Sequence, residues 1–415
     1  MNSRERVQAA VNHREGDSIP IDLGGFRAST IAAVTYHKLK KALGIYSGDV
    51  YVYDFIQQMA VIEPEVRDCL GLDLIDLGRA FLLKPEEWKD WELTDGTPCK
   101  IPARIHPVRV GDDWHVYDEQ GTLIAMQKKG CDFFEQMCYP LEKSPDETFD
   151  DLPNILNKVM WVYLDVPPHP VDYKDPAALE NLAAKAKALR GSSDKAIVAF
   201  FGGNLNDNGT LAFGALEWYT LMAENPGRVH RFLDRLMELF MNNLPRFMAA
   251  VGPYVDIVLY ADDLGTQIGP PFSLKMYRQY YHDRFKLMWE TTKKLADVKV
   301  AIHCCGGVYP LLPGLIEAGL DIFNPVQTSA KDMHPARLKR EFGADLTFWG
   351  GGCDTRDVLP RGTPQEVAED VRRRIEIFAP GGGFIFNQVH NIMPDVPVEN
   401  ILAMFEAAHR YGKYA

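Results

Sequence analysis

Short runs of β-branched and aromatic residues alternate with longer stretches of helical periodicity along most of this chain. This alternation is the pattern of repeated strand–helix units. Several of the runs are almost continuously apolar, as expected for parallel strands that helices cover on both faces. The candidate strands are residues 19–23, 74–77, 196–201, 256–262, 299–305, 321–326, 346–351 and 384–389. Between them, residues 227–251 and 364–378 carry apolar side chains at helical spacing.

Eight strands with interleaved helices predict an α/β fold, a single (β/α)8 TIM barrel. An open doubly wound sheet is the alternative, but no glycine-rich dinucleotide fingerprint follows the first strand. Residues 81–140 interrupt the alternation with short strand-like runs and turn signals such as Asp95-Gly96. We predict a β-rich insertion there, between the second and third barrel strands. One domain is expected over residues 1–415.

Composition excludes some partners. The 415-residue chain has a formal charge of −12 and no dense basic stripe, which argues against nucleic-acid binding. It has no apolar run of the ~20 residues that a membrane-spanning helix needs, and its N-terminus lacks a secretory signal. Its 7 cysteines are an odd number, and Cys304 and Cys305 are adjacent, so free thiols are expected. We therefore expect a soluble cytoplasmic protein.

The most informative residues lie at two predicted strand ends. His303 and Cys305 are two apart in a strand, so they project from the same face, while Cys304 projects from the other. Cys353 ends the seventh predicted strand after three glycines. In a barrel both ends open on the same C-terminal face, where catalytic residues collect. One imidazole and two thiolates are typical of a catalytic Zn²⁺ site, although cysteines that merely fill the core are the alternative.

Other polar groups follow the predicted strands. Asp262 and Asp263 are candidate catalytic acid–base groups, or else helix caps. His390 is a further candidate for catalysis, although a structural histidine would look the same. The candidate substrate-binding residues are Tyr260, which shares a face with Asp262, together with Gln327, Asn387 and Trp349. Phe200, Phe201 and Phe348 would join Trp349 in an apolar pocket, and packing against helices explains them equally well.

Residues 381–400 resemble the closing motif of uroporphyrinogen decarboxylase-like proteins, in which Asn and His end the last strand before a Pro-x-x-x-Asn helix start. The Asp262 segment with Ser273 downstream resembles the same superfamily. So does the His303–Gly306 stretch with residues 319–325 behind it. The superfamily contains true decarboxylases and zinc-dependent methyltransferases that work with corrinoid proteins. The decarboxylases carry an arginine-rich N-terminal motif, and the matching segment here, residues 22–28, has a single arginine, Arg27.

The resemblance to the methyltransferase branch implies that His303, Cys305 and Cys353 are its zinc ligands. It also implies transfer of a methyl group from a methyl ether, such as a methoxylated aromatic, or from a methanol-like donor to corrinoid cobalt. The chain has no Asp-x-His-x-x-Gly motif, so the corrinoid (cobalamin) is expected on a separate partner protein. The alternatives are a methylcorrinoid:thiol methyltransferase, a metal-free decarboxylase, a non-catalytic zinc-binding protein and an inert barrel.

Overall fold

A seven-stranded parallel sheet forms the centre of the protein, which we describe from a computed structural model covering residues 1–165 and 174–414. The strands are β1 Val52–Asp54, β2 Met59–Ala60, β3 Leu74–Asp76, β4 Trp88–Glu92, β5 Pro98–Pro102, β6 Val108–Val110, β7 Asp113–Tyr117, β8 Leu123–Gln127, β9 Glu135–Gln136, β10 Ala196–Gly202, β11 Ile257–Ala261, β12 Lys299–His303, β13 Ile322–Asn324, β14 Thr347–Trp349 and β15 Phe384–Ile385. The central sheet has the order β15-β14-β13-β12-β11-β10-β3. Seven of the eight predicted strands are therefore present and adjacent in the predicted order.

Helices connect these strands. They are α1 Ser3–Val11, α2 Ala33–Ala42, α3 Pro64–Cys69, α4 Leu152–Leu156, α5 Met160–Tyr163, α6 Pro176–Ser192, α7 Asn206–Phe213, α8 Ala215–Glu224, α9 Pro226–Val251, α10 Leu274–Tyr277, α11 Asp283–Leu295, α12 Leu312–Glu317, α13 Pro335–Phe342, α14 Val358–Arg361, α15 Pro364–Phe378 and α16 Val398–Tyr411. A π-helical turn, Arg278–His282, joins α10 to α11. α9 and α15 match the two helices predicted from periodicity.

The segment predicted as the first strand closes the sheet into a barrel without forming a regular strand. Ile21 makes a parallel bridge with Phe386, just after β15. On its other side, the carbonyl of Ile21 accepts a hydrogen bond from the amide of Asp73, which precedes β3. These contacts join the two edges of the sheet, so the predicted (β/α)8 barrel is confirmed.

Two apolar layers follow from the alternation of side chains along each strand. One layer fills the barrel interior and includes Ile257, Leu259, Ala301 and Trp349. The other layer lies between the strands and the surrounding helices. Helix α1 closes the N-terminal end of the barrel, because its Val7 and Val11 pack into the interior layer.

The predicted β-rich insertion is confirmed between β3 and β10. β4 pairs with β5 as an antiparallel hairpin. β6 to β9 form a separate antiparallel sheet in sequential order. Antiparallel hairpins need only short turns, so this stretch builds its own sheets instead of extending the parallel barrel.

No helix in the described ranges has both the length and the apolar character to cross a bilayer.

Candidate metal centre at the barrel mouth

Three side chains meet at the C-terminal end of the barrel. The ligand atoms of His303, Cys305 and His390 all lie within 4.8 Å of one another. His303 and Cys305 follow Ala301 at intervals of two and project with it toward the barrel axis, as the strand alternation predicts. Cys304 is buried in the outer layer instead. All three grouped residues are half-buried, so part of each remains in contact with solvent.

His303 is held in one orientation. Its Nδ1 lies 2.7 Å from Oδ1 of Asn324. Its Nε2 lies 3.5 Å from the Cys305 sulfur. Burial lowers the pKa of this imidazole, so the ring is neutral at neutral pH and keeps a nitrogen lone pair for a metal.

The donor spacing fits tetrahedral zinc. Zn–N and Zn–S bonds of about 2.05 and 2.3 Å at a tetrahedral angle place the two donor atoms about 3.6 Å apart. The observed His303–Cys305 separation is 3.5 Å. Burial and the nearby Asp263 carboxylate raise the pKa of the Cys305 thiol. A bound cation would reverse this effect, because a coordinating thiol is deprotonated by the charge of the metal.

His390 completes the group. Burial and the neighbouring His303 lower the pKa of His390 to about 3, so it too is neutral and able to ligate. The two imidazole rings lie 5.3 Å apart, centre to centre. We predicted His390 as a catalytic residue, and the structure places it directly beside the predicted metal ligands.

The structure does not bring Cys353 into this group. Its side chain is fully buried in the outer layer, and its sulfur lies 4.0 Å from the carbonyl oxygen of Asp354. Burial, followed by the charges of Asp370 and Asp354, raises the pKa of this thiol. The loop before it turns at Gly350 and Gly351, both with positive φ, which directs Cys353 away from the mouth in this conformation.

Asp262 and Asp263 have different environments. Asp262 is fully buried, and its carboxylate accepts the backbone amides of Leu205, Asn206 and Asp207 at 2.8–3.0 Å. These contacts hold the start of α7, so they favour a positioning role over acid–base work. Asp263 lies at the open mouth, and its Oδ1 accepts the amide of Cys305 at 2.7 Å. Surrounding protein raises the pKa of Asp263, although its side chain touches solvent.

Sequence reasoning missed Asp207. This half-buried residue accepts hydrogen bonds from the Asp263 amide and the Asn204 side chain. Burial and the charge of Asp263 raise the pKa of Asp207 to about 7, and His303 is close enough to oppose that shift. The available signal was a carboxylate in the turn after the third predicted strand, five residues beyond Gly202.

The two predicted substrate amides are used by the protein itself. Gln327 accepts the Gly306 amide at 2.7 Å and thereby holds the turn that follows Cys305. Asn387 is fully buried and donates to the carbonyl oxygens of Asp22 and Ser29. Of the two, Gln327 alone is partly open to solvent.

Tyr260 and Trp349, the two aromatic residues predicted to bind substrate, lie in different apolar layers of the barrel. The Tyr260 hydroxyl lies 2.6 Å from Thr292 Oγ1 on α11, in the layer between barrel and helices. Tyr260 is therefore directed away from the mouth, where we expected it to bind substrate. Trp349 lies inside the barrel and donates its indole N–H to Asp22 Oδ2 at 2.9 Å.

Three aromatic residues of the barrel interior, Phe26, Phe200 and Trp349, lie beneath the metal group. Phe26 packs edge-on against both His303 and Trp349, with ring centres 5.3 and 5.2 Å apart. Arg27 lies over the Phe200 ring at 5.0 Å and forms an ion pair with Asp165. Phe201 and Phe348, the other predicted pocket aromatics, belong to the outer layer.

The fold and the site define the class of protein: a parallel (β/α)8 barrel with a candidate metal centre of His and Cys side chains at its C-terminal mouth. Comparison with known proteins identifies the family. The uroporphyrinogen decarboxylase (URO-D) family model matches residues 171–411, more than half of the chain. The chain therefore belongs to the URO-D family, and the resemblance to that superfamily is confirmed.

Two curated relatives named uroporphyrinogen decarboxylase show how distant the similarity is. The protein from Methylococcus capsulatus is 27% identical over 199 residues. The one from Mannheimia succiniciproducens is 24% identical over 199 residues. In each case the match covers 46% of this chain and 51% of the relative. The chain thus spans about half the length of the curated relatives it matches.

A solved structure shares the whole fold. A methyltransferase from Methanosarcina mazei superimposes with a TM-score of 0.58, at 14% identity, over 99% of both chains. At this identity the similarity shows the fold alone.

Proposed function

We propose that this protein is a zinc-dependent methyltransferase. In this proposal it moves a methyl group from a methyl ether, with methoxylated aromatics as the preferred class, or from methanol, to the cobalt of a separate corrinoid protein. The observation that carries the proposal is the group of His303, Cys305 and His390, whose donor atoms lie within 4.8 Å of one another at the barrel mouth. The distant similarity in fold to a methyltransferase supports it.

His303 and Cys305 would hold the metal, and two residues compete for the third position. His390 is already in place, whereas Cys353, the ligand implied by family resemblance, would have to leave the outer layer. Zinc bound here would supply a Lewis acid that stabilises the oxygen released when the methyl group departs. With three protein ligands, the site would leave room for that oxygen to bind, as in other catalytic zinc sites.

The carboxylates around the metal group can donate the proton that this reaction needs. When cobalt takes the methyl carbon, the ether oxygen keeps the bonding electron pair and must gain a proton. Asp207 is close to His303, and its pKa of about 7 lets it hold a proton at neutral pH. We assign proton donation to Asp207 and Asp263, and we assign to Asp262 the positioning of Asp207 through the start of α7.

Decarboxylation is the second candidate, because the curated relatives carry that name. It would require cations for a substrate with many carboxylates. Arg27, the arginine in the segment that resembles the substrate-binding motif, is already paired with Asp165 and stacked on Phe200. A new anion would have to displace that carboxylate, so the local charges favour the methyltransferase.

The test combines metal content with methyl transfer. Wild-type protein prepared without chelators should contain about one zinc per chain and should demethylate a methoxyaromatic compound only when a reduced corrinoid protein is added. A methylcorrinoid plus a thiol acceptor tests the methylcorrinoid:thiol alternative, and uroporphyrinogen tests decarboxylation. Absence of zinc, or decarboxylation without metal, would refute the proposal.

The third ligand is identified by two variants. His390→Ala should lose zinc if His390 ligates, whereas Cys353→Ala should lose it if the loop after β14 turns inward. Cys304→Ala is the matched control, since it removes a thiol from the same chain segment on the opposite face of the strand.

A further inference from the structure

Asn324, the last residue of β13, lies between the metal group and the barrel wall. It is 1% exposed. Its side-chain Oδ1 is 2.7 Å from His303 Nδ1, and its Nδ2 is 3.0 Å from the carbonyl oxygen of Trp349. One buried amide thus connects the ends of β12, β13 and β14.

The Trp349 carbonyl determines which way this amide faces. A carbonyl oxygen only accepts hydrogen bonds, so the NH₂ group of Asn324 must point toward Trp349. The Oδ1 atom therefore points toward His303, and it too only accepts. His303 must then carry its proton on Nδ1, which leaves the lone pair on Nε2, the nitrogen that faces Cys305.

We infer that Asn324 is a positioning residue that fixes the tautomer of His303 and so selects Nε2 as the metal-binding nitrogen. The tautomer part of this inference stands on the contacts of Asn324 alone. The metal part rests on the proposed function. Partners of this kind orient ligating histidines and raise their basicity in metal sites generally.

The surroundings leave Asn324 and His303 little freedom to rearrange. Phe26 packs edge-on against the His303 ring and also against Trp349. The Trp349 indole is anchored by Asp22 at 2.9 Å. Because the carbonyl that orients Asn324 belongs to this anchored residue, the amide cannot flip without losing its hydrogen bond to Trp349.

The arrangement also explains why an amide is used at this position. Aspartate would accept from His303, but its second oxygen would face the Trp349 carbonyl, where two acceptors repel. Leucine, of similar volume, would leave the Nδ1–H of His303 and the Trp349 carbonyl without a partner. Only asparagine presents one acceptor and one donor in the required directions at this length.

The tautomer is measured first, in metal-free protein, by ¹⁵N NMR of histidine-labelled wild type and Asn324→Leu. Wild-type His303 should carry its proton on Nδ1. In the leucine variant the signal should move toward the Nε2–H form, which neutral imidazole favours in water. Wild-type protein with the proton on Nε2, or an unchanged tautomer in the variant, would overturn the inference.

Zinc affinity is measured next by competition with a chromophoric chelator. Asn324→Leu should bind zinc about 10- to 100-fold more weakly, whereas Asn324→Asp, which keeps the acceptor, should stay closer to wild type. Asn400→Leu is the matched control, because Asn400 is equally buried and donates to two carbonyls, those of Leu359 and Gly362, that do not belong to the metal group. Equal losses in Asn324→Leu and Asn400→Leu would contradict a specific role.

The two measurements separate this inference from the proposed function. If neither wild type nor Asn324→Leu binds zinc, but the His303 tautomer still shifts in the variant, the methyltransferase proposal fails and the positioning role of Asn324 stands. If Asn324→Leu does not fold, Asn324→Asp carries the test, since it should preserve the Nδ1–H tautomer. An Nε2–H tautomer in that variant would again refute the role.

Discussion

Carboxylates at the two ends of the barrel have different partners. At the closed end, an aspartate directly before each of β3, β11 and β13 accepts a hydrogen bond from a backbone amide of the neighbouring strand and pairs with a cation from a helix. The three sets are Asp73 with Ile21 and Arg6, Asp256 with Ile197 and Arg190, and Asp321 with Val300 and Lys293. Each carboxylate thus joins two strands and one helix.

At the open end the carboxylates also accept hydrogen bonds from backbone amides, but they do not pair with cations in the described ranges. Asp22, Asp207, Asp262 and Asp263 form no ion pair within the part of the chain that the structure describes. Burial raises the pKa of each of them, to about 7 for Asp22 and Asp207. Burying a carboxylate without a cation opposes folding, so this end retains groups that reduce stability.

This difference separates the closed end of the barrel, which stabilises the fold, from the open end, which carries the candidate functional site. Paired charges at the closed end hold the strands in register, whereas Asp22 and Asp207 at the open end, each with a pKa of about 7, can exchange protons near neutral pH. Substitutions at the closed end should therefore change stability at every pH, and those at the open end should change chemistry or the pH dependence of stability. Four experiments test this division, from the largest expected effect to the smallest.

Removing the half-buried thiol of the adjacent pair, Cys305, should have the largest effect. Cys305→Ala should lose all bound zinc and at least 100-fold in methyl transfer, because it removes a ligand. The urea midpoint of the metal-free protein should hardly change. Cys304→Ala should keep its zinc and lose about 1 kcal/mol of stability, since it leaves a small cavity in the outer layer. Zinc loss in Cys304→Ala would mean that the two faces are not independent.

Breaking a closed-end pair should affect stability alone. Arg190 contacts both oxygens of Asp256, at 2.9 and 3.1 Å. Arg190→Met leaves that carboxylate buried without its main partner, which should cost about 2–4 kcal/mol in urea unfolding. Zinc content and turnover of the folded fraction should be unchanged. Adding Asp256→Asn to this variant should recover part of the loss, and a lower kcat instead would break the comparison.

The raised pKa of Asp22, at the open end, should make the free energy of unfolding depend on pH. The pKa of Asp22 is raised from 3.8 to about 7. Between these values the folded state holds a proton that the unfolded state has lost, so the contribution of Asp22 to stability is greatest below pH 4 and is lost as pH rises through 7. Asp22→Asn removes this dependence. Between pH 5 and pH 8 the wild type should lose roughly 2–3 kcal/mol more than the variant. Parallel pH profiles in urea titrations would show that Asp22 does not titrate in this range.

The smallest effect concerns Tyr260, which contacts the outer layer. Tyr260→Phe removes the buried hydrogen bond to Thr292 and should cost about 1 kcal/mol of stability. KM for the methyl donor should be unchanged, because the ring faces α11 and not the mouth. An increase in KM would place Tyr260 in the substrate site after all and restore the role predicted from sequence.

Periodicity could predict much of this fold, because parallel strands and amphipathic helices leave strong apolar patterns. It placed α15 at its observed ends. The first predicted strand is irregular because residues 20–22 pair with the two edges of the sheet through a few backbone contacts only. Such closure depends on distant residues and leaves no local signal.

Strand alternation also predicted the shared face of His303 and Cys305, but it could not identify which face was inside. The same rule grouped Tyr260 with Asp262 correctly, and that face is the outer one. Loop residues were harder still. Asp207 approaches His303 and Cys353 packs outward because of turns at glycines, whose direction the sequence does not specify.

The alternation along β12 has a consequence for how this protein can change through evolution. Ala301 lies in the barrel interior and His303 and Cys305 lie at its mouth, whereas Ile302 and Cys304 lie in the outer layer. Point substitutions at the first set can alter chemistry while the helix packing is kept, and those at the second set can adjust packing while the ligands stay in place. A deletion of one residue would exchange the two sets at once. Descendants of this chain should therefore diverge by substitution in this strand and keep its length constant.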